Sequence, residues 1–255
     1  MPFYPNNSLG RERGLRGTKD MTSKSVARAI GLLLLLQLVT GLILPYVLLS
    51  SVSSPAGAFL DSAAGMAGTI RLSVLMLFVG GAASLGIATL VWPAVRENRQ
   101  LLGLWLLALA AINFTLQLVE NAHWLSLLSI SQAYAAGGAD PGIFQALGMA
   151  AHASFRWAHY SHILVVVLWL FTLYLLLYRG AMVPRPIAAF GMGGALLHFV
   201  GIILPAFGFY RMPYSDLFGV PIGLAGLVLA LWLIARGFAN AASRGGEAPP
   251  NVVRL

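Results

Sequence analysis

Six separated stretches of apolar residues constrain the fold of this chain more than any other feature. A helix of about 20 residues is long enough to cross the roughly 30 Å hydrocarbon core of a bilayer. Inside lipid the backbone must satisfy its own hydrogen bonds, which favours helices. The sequence therefore predicts an all-α integral membrane bundle of six transmembrane helices. The predicted spans are Ala29–Leu49, Ile70–Trp92, Leu101–Leu127, His159–Tyr178, Ile187–Phe207 and Leu217–Ile234.

The composition supports the same class and excludes several kinds of site. Only 9% of the residues are charged, whereas soluble domains have about 25%. Cysteine is absent, which excludes disulfides, thiolate metal sites and cysteine nucleophiles. The net charge of +8 lies mostly in the N-terminal tail and at the ends of spans. We therefore expect the lipid bilayer, and no nucleic acid, as the partner of this charge.

The positions of the basic residues predict the orientation. By the positive-inside rule, loops rich in Arg and Lys face the cytoplasm. Both termini and the second and fourth loops are rich in these residues, so we predict that both termini are cytoplasmic. The basic residues on this side are Arg11, Arg13, Arg16, Lys19, Lys24, Arg28, Arg96, Arg99, Arg179, Arg185, Arg236, Arg244 and Arg254. The alternate loops carry only Arg71, Arg156 and Arg211, beside Asp61, Asp140 and Asp216.

Three regions follow from these segments. We predict a disordered basic tail over residues 1–27, a transmembrane domain over 28–238 and a disordered tail over 239–255. The run that begins at Met21 is typical of a membrane-protein start, which leaves residues 1–20 as a candidate extension. Asp140-Pro141 is a good helix start, and it predicts a periplasmic interfacial helix near 141–155 that runs into the fourth span.

Polar residues inside the apolar spans mark a candidate site, because ionisable groups in a bilayer are costly. Glu120 is the only carboxylate within a strongly apolar segment. Polar and aromatic residues on the third span recur at offsets of four, three and four, which keeps them on one helix face. Those on the fourth span recur at four, three and three. The first set is Asn113, Gln117, Glu120 and Trp124; the second is His152, Arg156, His159 and His162; His198 stands alone on the fifth span.

Depth estimates place these residues at matching levels. With a rise of about 1.5 Å per residue from each cytoplasmic end, three pairs coincide. The pairs are Asn113 with His198 at about 18 Å, Gln117 with His162 at about 24 Å, and Glu120 with His159 at about 28 Å. The sequence therefore predicts a polar pocket in the outer half of the bilayer.

The preferred interpretation is that this pocket binds a small lipophilic molecule and performs acid–base chemistry on it. A carboxyl group in an apolar site can keep its proton and act as a donor. Such a group suits isomerisation, cyclisation or hydrolysis of a lipid-like substrate. The expected catalytic residues are Glu120, His159 and Arg156. The expected substrate-binding residues are Asn113, Gln117, Trp124, His162 and His198.

Two alternatives stay open at this point. Imidazoles with a carboxylate suit zinc, iron, copper or haem, with His159, His162, His198 and Glu120 as the candidate ligands. No established metal motif accompanies them. In the other alternative the protein is a structural or partner-binding subunit, and Glu120 pairs with Arg156 or a histidine to hold the helices together. Small residues at four-residue spacing, such as Gly219 and Gly223, favour close helix packing and allow oligomerisation.

Two short motifs resemble a known family. The chain opens its first span with Ala27-Arg28-Ala29-Ile30-Gly31-Leu32-Leu33. The segment Leu175-Leu176-Leu177-Tyr178-Arg179-Gly180 is followed by Val183-Pro184-Arg185. Both are similar to segments of a bacterial multi-pass family known as domain of unknown function 4386, over about Ser25–Phe238. The resemblance implies a small helical protein of the bacterial inner membrane, with no assigned activity, cofactor or catalytic residue.

Overall fold

The computed structural model describes residues 8–43, 56–137, 140–208 and 215–239, and it contains helices and no strand in these ranges. Six of the helices are long and apolar enough to cross a membrane. Helix α1 ends in a π-helical turn, Val39–Ile43, and a 3₁₀ turn, Ala64–Met66, joins α2 to α3. The helices are α1 Ser8–Leu38, α2 Ala56–Ala63, α3 Ala67–Val95, α4 Gln100–Ala135, α5 Pro141–Arg179, α6 Arg185–Ala206 and α7 Ser215–Arg236.

The six predicted spans are confirmed, and most of the helices are longer than the apolar runs that revealed them. Helix α4 has 36 residues and α5 has 39. At about 1.5 Å per residue they reach roughly 54 and 58 Å, well beyond a hydrocarbon core of about 30 Å. The part of the first predicted span over residues 44–49 lies outside the described residues.

The N-terminal tail is helical rather than disordered over residues 8–27, because α1 begins at Ser8. This corrects the prediction of a disordered tail over residues 1–27. The stretch contains no proline, the residue least compatible with a helix interior. Once the apolar span is helical, extension toward the N-terminus needs no new nucleus. Residues 1–7 and 240–255, which include most of the predicted C-terminal tail, lie outside the described residues.

Helix α5 begins where the sequence predicted and then continues without a break. The Asp140 carboxylate accepts a hydrogen bond from the Gly142 N–H at 2.8 Å, which caps the helix start. The expected interfacial helix near 141–155 and the fourth span form one helix, since residues 149–179 contain neither glycine nor proline. Aromatic contacts hold this extension against α4: the Phe155 ring lies 4.6 Å from that of Trp124, and the Phe144 ring lies 6.0 Å from that of Tyr134.

The six long helices form a closed ring in chain order. Each of α3 to α7 packs against the long helix before it in the chain, and α7 also packs against α1. At the closure, the Arg28 Nε donates a hydrogen bond to the Ile234 carbonyl oxygen at 3.3 Å. The short helix α2 packs outside this order, against α4 and α5. Large apolar side chains on the outside of the ring are exposed, which suits contact with lipid.

One end of the ring, here called the packed end, is filled with apolar side chains. It is the end at which α3, α5 and α7 finish and α4 and α6 begin. Glycines allow close helix approach here: Gly191 lies directly against the ring of Tyr174, and a methyl group at Gly31 would lie 2.8 Å from the Ala230 carbonyl oxygen. Fully buried residues at this end include Ile30, Val91, Leu173, Leu177, Ala188 and Leu233.

Candidate functional site

Glu120 lies on the inward face of α4, and its carboxylate joins α4 to α5. The residue is only 5% exposed. The His159 Nδ1 lies 3.0 Å from one carboxylate oxygen, and the His162 Nδ1 lies 2.7 Å from the other. The spacing of three residues puts both histidines on one face of α5. One buried carboxylate is thus held between two imidazoles.

His162 makes a hydrogen bond through each of its ring nitrogens. Its Nε2 lies 2.9 Å from the Asn113 Oδ1, two turns below Glu120 on α4. His162 therefore joins the Glu120 carboxylate to the Asn113 amide. With His159 it gives both carboxylate oxygens a hydrogen-bond partner, as a buried charge requires. We call Asn113, Glu120, His159 and His162 the Glu120 cluster.

The two histidines differ in exposure although they share one carboxylate. The His162 side chain is 10% exposed, and the His159 side chain is 46% exposed. The His159 ring also stacks on that of Phe155, with 5.9 Å between the ring centres. With Nδ1–H donating to Glu120, a neutral His159 ring has its lone pair on Nε2. This is the arrangement in which a carboxylate orients a histidine for proton transfer.

A second polar connection runs from the same face of α4 to α3. The Gln117 Nε2 donates to the Asn121 Oδ1 at 3.1 Å, and the Asn121 Nδ2 donates to the Val74 carbonyl oxygen at 3.2 Å. Asn121 is 4% exposed and was not among the residues that the sequence singled out. The available signal was its place directly after Glu120, on the buried side of an apolar helix.

A cavity of about 320 Å³ lies inside the ring, next to the Glu120 cluster. All six long helices contribute to its wall. The polar groups lie mainly on α4 and α5, and the rest of the wall is apolar or glycine. The polar lining residues are Gln37, Thr40, Asn113, Gln117, Glu120, His159, His162 and His198; most of the others are Leu34, Leu77, Val166, Trp169, Leu170, Ile222, Gly223 and Gly226.

The structure brings most of the sequence-predicted site residues to this cavity, with two exceptions. Arg156 is exposed and does not line it. Trp124 is buried in a separate apolar group with Phe59, Leu127 and Leu128. Both are one-turn neighbours of cluster residues, but α4 and α5 extend past the cavity at this level. The predicted positions of Arg156 and Trp124 in the pocket are therefore wrong.

The four candidate metal ligands are not arranged as a metal site. Among the residues with described side chains, no group of three or more His, Asp or Glu is placed to hold a metal ion. The Nδ1 atoms of His159 and His162 bond the Glu120 carboxylate directly, so these donors contact one another instead of converging on a shared centre. His198 lines the same cavity and lies beside Gly219.

Sequence reasoning missed the role of glycines in the cavity wall. On α3, a methyl group at Gly81 would lie 3.0 Å from the Gln117 side chain, and Gly80 lies directly against Thr40. On α7, a methyl group at Gly226 would have no atom within 4 Å. The sequence signal for α7 was the four-residue spacing of Gly219 and Gly223, which favoured helix packing. Only the structure shows that part of this face borders a cavity.

Comparison with known proteins identifies the family. A family model described as "Domain of unknown function (DUF4386)" matches residues 29–237. The chain belongs to the DUF4386 family. No curated protein and no solved structure matches it.

The DUF4386 match confirms the resemblance that the two sequence motifs indicated over about Ser25–Phe238. In this DUF4386 protein, every residue of the Glu120 cluster and of the cavity wall falls within the matched range. The family description adds no activity. The chemistry of the site must therefore be inferred from the cavity itself.

Proposed function

We propose that this DUF4386 protein binds a small lipophilic molecule in the central cavity and transfers protons to and from it through His159 and Glu120. The observation that carries the proposal is the hydrogen-bonded Glu120 cluster on the wall of a largely apolar cavity. Small-molecule sites typically combine apolar walls with a few polar groups, in cavities of about 300–1,000 Å³. The cavity of about 320 Å³ lies at the small end of this range.

The roles follow from the hydrogen bonds. Glu120 accepts the Nδ1–H of His159 and so orients the ring, and the Nε2 of His159 takes a proton from the ligand. The Asn113 Oδ1 is bonded to His162, which leaves the Asn113 amide N–H to donate to a ligand oxygen. His162 holds the other carboxylate oxygen of Glu120. This chemistry suits proton shifts next to a carbonyl or hydroxyl group, of which isomerisation is the simplest.

The exposure of His159 supports entry of the ligand from the membrane. Nearly half of its side chain is exposed, although it also lines the cavity. A lipophilic ligand concentrated in the bilayer would reach the polar groups at this point. We further propose that both termini face the cytoplasm of a bacterial inner membrane, which places the Glu120 cluster in the outer half of the bilayer.

Deuterium exchange into decan-2-one tests the proposed proton transfer. In deuterated buffer, His159 would remove a proton from the carbon beside the carbonyl and return a deuteron from solvent. We expect wild-type protein in lipid nanodiscs to accelerate this exchange by at least about 100-fold, a typical contribution of general base catalysis. Mass spectrometry of the recovered ketone measures the incorporated deuterium.

Matched variants test whether the accelerated exchange depends on the cavity residues. Glu120→Gln and His159→Gln should each lose the acceleration, and Glu97→Gln, which alters an exposed carboxylate at the packed end, should retain it. Monodisperse elution and helical circular dichroism will show that each variant is folded. Equal exchange rates in wild type and in folded His159→Gln would sink the proton-transfer proposal.

A further inference from the structure

The cavity wall is longest along α5. There it extends from His159 to Leu170, a distance of about 16 Å at 1.5 Å per residue. On α7 it extends from Gly219 to Gly226, about 10 Å. A hydrocarbon chain that lies along α5 would therefore contact the wall over most of this length.

The polar wall residues lie mainly toward one end of this length. That end carries Gln117 and the Glu120 cluster. Toward the packed end the wall is mainly apolar, with Leu34, Trp169, Leu170 and Gly226, and Gln37 is the polar residue there. A ligand with one polar end and one apolar end would match this polarity in a single orientation.

Two amide atoms at the polar end make no hydrogen bond to any described residue. The Asn113 Oδ1 is bonded to His162, but its Nδ2 is not bonded; the Gln117 Nε2 is bonded to Asn121, but its Oε1 is not bonded. Both residues are almost fully buried, at 3% and 6% exposure. Buried polar atoms normally have partners. One donor and one acceptor are together the complement of a hydroxyl group, which accepts and donates.

The charge at the polar end favours an uncharged ligand. The Glu120 carboxylate lies 2.7 Å from the His162 Nδ1 and already has hydrogen-bond partners on both oxygens. A carboxylate or ammonium head would need a counter-charge of its own, because a buried unpaired charge is costly. A hydroxyl head adds no charge.

From these four observations we propose that the cavity binds an uncharged single-chain alcohol lengthwise, with its hydroxyl at Asn113 and Gln117 and its chain toward Gly226. This inference rests on the proposed binding function and specifies its ligand class and orientation. It assigns roles to residues outside the proton-transfer pair. Asn113 and Gln117 recognise the head, and the glycines of α7 make room for the chain.

A chain-length series tests the proposal. We would measure the thermal shift of the detergent-solubilised full-length protein with 1-hexanol, 1-octanol, 1-decanol, 1-dodecanol and 1-tetradecanol. While the chain fits, each added methylene should raise the affinity about fourfold, the value of burying about 0.8 kcal/mol. The gain should stop once the chain exceeds the cavity length. Decanoate, which has a charged head, should bind at least about tenfold more weakly than 1-decanol.

Gly226→Leu should make the affinity gain stop at a shorter chain, because its side chain would fill the far end of the cavity. Gly193→Leu is the matched control: Gly193 is also a mid-helix glycine with no atom within 4 Å of an added methyl group, and it lies outside the cavity wall. Gln117→Leu should weaken every alcohol by a similar factor. It removes the head-group acceptor without touching the Glu120 cluster.

A compact alcohol distinguishes failure of this inference from failure of the proposed function. 1-Adamantanol has the same number of carbons as 1-decanol but no chain. If it binds as tightly as 1-decanol, or if Gly226→Leu leaves the chain-length limit unchanged, the lengthwise alcohol site is wrong while ligand binding stands. If neither alcohol, nor decan-2-one, shifts the melting temperature, the binding function fails as well.

Discussion

The six helices pack closely at one end of the ring and surround a cavity at the other. At the packed end, apolar side chains and glycines bring the helices into direct contact, as where Gly191 meets the ring of Tyr174. At the level of the Glu120 cluster, the same six helices stand apart around a cavity, and polar side chains connect neighbouring helices. One end therefore excludes small molecules, and the other has room for one.

Polar atoms in the two regions also differ in their partners. The Glu120 carboxylate bonds two histidines, and His162 bonds a further residue. The Tyr174 hydroxyl and the Trp232 Nε1 at the packed end, and the Trp169 Nε1 of the cavity wall, are buried with no hydrogen-bond partner among the described residues. These three atoms belong to large rings that fill space, whereas the Glu120 cluster forms a specific arrangement. Binding specificity should therefore lie in the cluster.

The largest expected effect is the loss of the central carboxylate. Glu120→Gln places an amide N–H against the Nδ1–H of one histidine, so that two donors face each other. Leaving a buried polar group without its partner costs about 1–3 kcal/mol. We expect the free energy of unfolding to fall by about 1–3 kcal/mol, measured by unfolding in mixed micelles. Glu97→Gln, an exposed control, should change it by less than about 0.5 kcal/mol. Equal effects of the two variants would mean that the cluster has no structural role.

The next largest expected effect is at the packed end, where a substitution should leave the free energy of unfolding unchanged or raise it. Tyr174→Phe removes a buried hydroxyl that has no partner in the described part of the chain and keeps the ring against Gly191. We expect the free energy of unfolding to stay equal or to rise by up to about 1 kcal/mol. Tyr178→Phe, one turn later and exposed, serves as the control and should have no effect. A loss of stability in Tyr174→Phe would show that the packed end also depends on a polar contact.

The smallest effect on stability is expected from two single-cysteine variants. Their labelling tests which end of the ring faces which side of the membrane. The chain has no cysteine, so single-cysteine variants give a clean background. Glu97→Cys lies at the packed end, and Gln132→Cys lies near the end of α4 beyond the Glu120 cluster; both positions are exposed. The distribution of arginines predicts that a membrane-impermeant maleimide labels Gln132→Cys in intact cells and Glu97→Cys only after permeabilisation. The reverse pattern would place the cluster in the cytoplasmic half.

The secondary structure was predictable because lipid leaves an apolar segment few alternatives to a helix. The start of α5 was also predictable, from Asp140 and Pro141. The lengths of α1 and α5 were not predictable, because an apolar run indicates only the part of a helix that lies in the membrane. Residues 8–27 and 141–155 extend these helices with polar or mixed sequence, and no glycine or proline pattern marks a boundary between the two parts.

The contacts of Glu120 were partly predictable from depth. The rise per residue placed His159 level with Glu120, and His162 between Glu120 and Asn113. The structure has His162 bonded to both. Depth alone could not show which helices are neighbours, because six apolar surfaces offer many similar packings. It also could not show the empty volume, which depends on where glycines such as Gly226 meet no side chain.

The closure between α1 and α7 has a consequence for how the chain is connected. Helices that are adjacent in sequence are adjacent in the ring, and the first and last helices meet through Arg28 and Ile234 at the packed end. A link from residue 237 to residue 28 would therefore be as short as the connections that cross this end already, between α3 and α4 or between α5 and α6. Every pair of neighbouring helices in the ring is therefore either joined by a connection or close enough to be joined by a short one. A circularly permuted chain that starts at α4 would enclose the same cavity.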